Sequence, residues 1–96
     1  MDETSFKAQI RRDLISIIVS KDKSPYATFD HILLFATHSK TESGSSWVNI
    51  RLRIRGPTYN ECAHEWSLKR PVEEDVLQEM TDVIFGYWVS NQVHES

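Results

Sequence analysis

The sequence predicts an α+β domain in the order α-β-β-β-α, a three-stranded antiparallel meander packed with two amphipathic helices. Three observations carry that expectation. Apolar residues recur at helical spacing near both ends of the chain, they alternate with polar residues over Trp47–Arg55, and turn-forming residues separate the segments between.

The first helix is expected from about Thr4 to Ser20. Phe6, Ile10, Leu14, Ile17 and Ile18 fall on one face, with Ile15 and Val19 broadening it and Arg11 and Arg12 off it. Asp2, Thr4 and Ser5 are the candidates for capping its free N–H groups. Ile17-Ile18-Val19 also suits a strand, but the periodicity already begins at Phe6. Lys21 to Pro25 reads as a loop, because proline disfavours helical geometry in the residue before it.

Tyr26 to His38 reads as a single strand. Its centre, Phe29 and Ile32 to Phe35, is apolar on both faces, which predicts cover on both sides. Ser39 to Ser46, with Gly44, is a hairpin-type connector. Over Trp47–Arg55, Val48, Ile50, Leu52 and Ile54 alternate with Trp47, Asn49, Arg51, Arg53 and Arg55, as in a half-buried strand. Gly56-Pro57-Thr58 forms a turn, and Tyr59 to Leu68 returns as the third strand.

Turn length sets the faces of that third strand. A three-residue loop pairs Arg53 with Glu61, Leu52 with Cys62, Ile50 with His64 and Val48 with Trp66. A two-residue loop would put Glu61 and Glu65 on the apolar face, where unpaired carboxylates are costly. The first register is therefore expected, with Cys62 and His64 on the core face.

Pro71 opens the second helix, and Glu73, Glu74 and Asp75 follow where the helix dipole favours negative charge. Val72, Val76, Met80, Val83, Ile84 and Tyr87 share a face, with Leu77 and Trp88 at its margin. The helix is expected to run to about Ser90, with Gly86 offering an earlier stop at Phe85. Periodicity leaves open whether the helices share one sheet face, exposing the arginines, or lie on opposite faces and partly cover them.

Composition narrows the function classes. At 96 residues, 40% hydrophobic and 26% charged, the chain suits one folded domain and is too apolar for intrinsic disorder. The longest apolar run, Ile32 to Ala36, is far short of a bilayer span of roughly 20 residues. An acidic start and a single cysteine fit a cytoplasmic or other intracellular setting with no membrane contact. Residues 71–96 carry six acidic residues and no Lys or Arg; residues 1–70 hold all eleven basic residues against eight acidic ones. The net charge of −3 thus resolves into an acidic end and a mildly basic remainder, without the whole-domain basicity of nucleic-acid binders.

Catalytic and cofactor motifs are not found. Glycines at 44, 56 and 86 stand too far apart to cradle a phosphate or dinucleotide, so no cofactor is expected. Cys62, His64 and Glu65, even with His31 and His38, follow no metal-ligand spacing, and a buried lone cysteine serves as a small hydrophobe. Glu73, Glu74, Asp75, Glu79 and Asp82 read as a solvated helix face, so neither a catalytic residue nor a metal site is expected. The element order is shared with the double-stranded RNA-binding domain. That family's lysine-rich entry to its second helix is replaced here by Glu73, Glu74 and Asp75, so no membership follows.

Binding remains, in two forms. The favoured one is a non-catalytic protein-interaction domain that forms a homodimer, since Trp47, Trp66 and Trp88 cannot all be central in so small a core. Its contact residues are expected among Trp47, Asn49, Arg51, Arg53 and Arg55 on the second strand and among Glu73, Glu74, Glu79, Asp82 and Trp88 on the last helix. By analogy of size and charge, such a domain acts as an adaptor or as an acidic inhibitor, in the manner of phage-encoded antagonists of host machinery. The alternative is a nucleic-acid-binding module that stacks bases on Trp47 and neutralises phosphates with Arg51, Arg53 and Arg55.

Overall fold

A computed structural model describes residues 2–20, 25–54 and 62–91. The described residues form two helices and four strands: α1 (Glu3–Val19), β1 (Tyr26–Phe29), β2 (Ile32–Lys40), β3 (Ser46–Ile54), β4 (Cys62–Lys69) and α2 (Glu74–Ser90). The strands form one antiparallel sheet in the order β1-β2-β3-β4. The chain is α+β, with four strands among the described residues where three were expected and a helix before and after the sheet.

The fourth strand arises because Tyr26 to His38 is not one strand but a tight hairpin. Phe29 pairs with Ile32, and Asp30 and His31 make the turn, Asp30 with φ 54°. Asp tolerates that left-handed conformation better than most side chains. Contacts from far along the chain reinforce it. The Trp88 indole N–H donates to the Asp30 carboxylate at 3.1 Å, and His31 Nε2–H donates to the Trp88 carbonyl at 2.9 Å. A turn without Gly or Asn, held by the last helix, leaves little local trace in the sequence.

α1 forms as its periodicity requires. Ile10, Leu14, Ile17 and Ile18 are buried, and the Asp2 carboxylate caps the first turn by accepting from the Ser5 N–H at 2.7 Å. At the other end, Arg70 donates to the Ile18 carbonyl at 2.7 Å, satisfying a group that the helix itself leaves free. α2 runs through Gly86 to Ser90 but begins at Glu74, with Glu73 as its N-cap, three residues after the expected Pro71. Its buried residues are Leu77, Met80, Thr81 and Ile84, so the inward face is rotated and Leu77 is central rather than marginal. Thr81 is accommodated because its hydroxyl donates to the Leu77 carbonyl at 2.8 Å.

Both helices lie on one face of the sheet. Val48, Ile50 and Leu52 of β3 and Ile32, Leu34 and Ala36 of β2 are buried with the inward residues of α1 and α2 in one core. Burying each valine, leucine or isoleucine side chain among them contributes roughly 1.5–3 kcal/mol. The helices run antiparallel: Phe6 meets Phe85 and Trp88, Lys7 pairs with Asp82 at 3.2 Å, and Arg11 pairs with Glu74.

The β3–β4 register is displaced by two residues from the expectation. Val48 pairs with Leu68, Ile50 with Trp66 and Leu52 with His64, after which Arg53 pairs with Cys62 across a bulge. A two-residue shift preserves side-chain parity, so His64 and Trp66 still face the helices. The bulge breaks that parity beyond His64, and Cys62 is exposed instead of lying in the core. Of the expected Lys21–Pro25 loop, residues 21–24 lie outside the described residues, as do the Gly56-Pro57-Thr58 turn, Arg55 and the start of the third expected strand.

Candidate functional site

One-sided packing leaves the other sheet face uncovered by any described helix, and the pairing orders its side chains in rows across the strands. One row runs Tyr26, Phe35, Arg51, Glu65, and the next Thr28, Leu33, Arg53, Cys62. A third holds Thr37, Asn49 and Ser67, and a fourth Ser39, Trp47 and Lys69. With strands about 4.8 Å apart, a four-strand row spans roughly 14 Å. On the β1–β2 side Tyr26, Leu33 and Phe35 are bordered by Thr28, Thr37 and Ser39; the β4 side is polar.

Local contacts hold the face in order. Arg51 Nε lies 3.7 Å from the Glu65 carboxylate, which also accepts from the Asn49 amide at 2.7 Å. Asn49 donates a second hydrogen bond to Ser67 Oγ at 3.1 Å. The Arg53 guanidinium sits over the Phe35 ring, 5.1 Å from its centroid, reaching diagonally between the strands. Tyr26 stands at the edge of the patch, 70% exposed.

Of the residues expected on the second strand, Trp47, Asn49, Arg51 and Arg53 do share this face, while Arg55 is outside the described residues. The acidic group does not join them. Glu73, Glu74, Glu79 and Asp82 are exposed on or beside α2, which packs on the opposite face of the sheet. Two of these carboxylates are engaged with α1, Glu74 with Arg11 and Asp82 with Lys7. The Asp82 carboxylate also holds the Lys7 ammonium above its ordinary pKa. Trp88 belongs to neither group. It is half-buried against Phe6, with ring centroids 4.6 Å apart, and is hydrogen-bonded to the Asp30 turn.

Tyr26, Leu33 and Phe35 are the residues of this face that sequence reasoning missed. Leu33 and Phe35 alternate with Ile32, Leu34 and Ala36, but a continuous apolar run hides that alternation, and Tyr26 could not be placed without the Asp30 turn. The histidines do not converge on Cys62. His31 stacks against Trp88, His38 contacts Arg70, and His64 lies between Trp66 and Tyr87. Among the described residues, no group of three or more His, Cys, Asp or Glu side chains is arranged to hold a metal ion. None of the described helices is long and apolar enough to cross a membrane. Neither a protein family nor a curated protein matches the chain.

Proposed function

We propose that this chain is a small non-catalytic protein-interaction domain that self-associates and offers its open sheet face to a protein partner, as an adaptor or inhibitor. The observation that carries the reading is the placement of both helices on one side, which leaves Tyr26, Leu33, Phe35, Trp47, Arg51 and Arg53 on a face that neither described helix covers. Aromatic side chains beside arginine, bordered by polar groups, are the composition from which protein interfaces draw most of their energy. The nucleic-acid reading has less support. Arg51 is engaged by Glu65 and Arg53 by Phe35, and the net charge of −3 opposes a polyanion.

Light scattering on the size-excluded protein, at low and high salt, tests the reading. A mass of two chains at both salts supports it. A monomer at every concentration removes the self-association. Retention of single-stranded nucleic acid that weakens steeply with salt, and is lost in Arg51→Ala/Arg53→Ala, replaces the protein partner with a nucleic acid.

A further inference from the structure

The geometry points to the free edge of β4 as the place where a second copy docks, antiparallel and centred on Ser67, joining two sheets into one of eight strands. This inference rests on the self-association proposed above and specifies its register. β4 is the last strand of the sheet and, at eight residues, twice as long as β1 at the other edge. A strand of that length whose outer edge pairs with no other described strand is a template for another strand.

Hydrogen-bond direction restricts which registers are available. In an antiparallel pair, alternate residues turn both N–H and C=O toward the partner strand. The Arg70 N–H donates to the Ser46 carbonyl at 2.9 Å, so Arg70 belongs to the set facing β3, together with Leu68, Trp66 and His64. The backbone groups of Glu65, Ser67 and Lys69 therefore point outward. A two-fold axis must set residues of this outward set opposite one another. Centred on Glu65, it opposes two carboxylates. Centred on Trp66, it sets Lys69 against Ala63, the bulge residue whose carbonyl already accepts from the Tyr87 hydroxyl at 3.1 Å. Centred on Leu68, it brings Pro71, which has no N–H, into the ladder.

Centred on Ser67, the axis sets Glu65 of each copy opposite Lys69 of the other, and Ser67 opposite itself. All three outward residues then exchange backbone hydrogen bonds. Unlike charges meet twice on the open face, and half-buried Trp66 meets half-buried Leu68 twice on the helix side. Antiparallel pairing keeps the faces aligned. The row Tyr26, Phe35, Arg51, Glu65 therefore continues into Lys69 and Trp47 of the second copy, and the two open faces become one platform. A lone edge lysine ordinarily guards against pairing. Here the acidic residue four positions earlier turns it into a complement.

Two variants of the full chain test this. In a Cys62→Ser background, Ser67→Cys places two thiols across the axis, about 5.5 Å apart at Cα, within disulfide reach. Mild oxidation is expected to give a covalent dimer, while Thr37→Cys, exposed on β2, gives little. Lys69→Glu, with folding checked by circular dichroism, is expected to weaken dimerisation roughly tenfold or more, as both unlike pairs become like pairs. A wild-type dimer that persists in Lys69→Glu and leaves Ser67→Cys uncrosslinked overturns this edge and register while leaving self-association standing. A wild-type monomer overturns both.

Discussion

The Tyr87 hydroxyl donates to the Ala63 carbonyl at 3.1 Å, tying the last turns of α2 to the one unpaired residue of the β4 bulge. The same hydroxyl lies 3.4 Å from His64 Nδ1, so one side chain satisfies a strand carbonyl and orients a neighbouring ring. Tyr87→Phe leaves that carbonyl without its partner. A loss of about 1 kcal/mol is expected, read as a lower urea midpoint at unchanged slope, with faster amide exchange along β4.

Gly86 sits within α2 on an exposed turn, and a Cβ added there meets nothing within 4 Å. Gly86→Ala reduces the freedom of the unfolded chain without crowding the folded one. A gain of roughly 0.5–1 kcal/mol is expected, and thermal unfolding would register it as a higher midpoint. Gly44 behaves oppositely. Its φ of +87° closes the β2–β3 turn, and alanine there is expected to destabilise.

His38 makes stability depend on pH. Burial, then the adjacent Arg70 charge, lower its pKa below 6.5, opposed in part by the Ile17 backbone. The unfolded chain therefore binds the proton more readily than the native one, so protonation favours unfolding. Stability is expected to be full above about pH 7, to fall as pH drops through 6.5, and to level off below the native pKa. Urea midpoints across that range measure the effect, and His38→Gln is expected to flatten it.

Cys62 is exposed, with its thiol directed to the His64 carbonyl at 3.1 Å. Alkylation of the native protein at neutral pH is expected to proceed within roughly tenfold of the rate in denaturant, where a buried thiol would be protected far more strongly. Strong native protection would mean that β4 continues its parity past His64 and that the bulge is absent in solution.

Much of this architecture was legible in local pattern. The α1 face from Ile10 to Ile18 and the alternation of Val48, Ile50 and Leu52 read correctly, because periodicity records which side of an element faces the core. The presence of His64 and Trp66 on the helix side survived a wrong pairing, since a slip of two residues leaves the faces unchanged. Cys62 did not survive it, because a bulge changes parity at a point that no periodicity marks. The turn at Asp30 also escaped, for its stabilising partner, Trp88, stands 57 residues from His31 and 58 from Asp30.

The candidate site divides the same way. By itself the sequence determined that Trp47, Asn49, Arg51 and Arg53 share a strand face, because adjacent alternation is a property of the extended backbone. Only the tertiary structure decided that neither described helix covers this face, by setting both against the other side of the sheet. It also decided that Tyr26 and Phe35 complete the face, while the acidic residues of α2 lie across the sheet from it. Those outcomes turn on which layers pack together, a choice made by summed burial over distant segments and written in no single stretch of the chain.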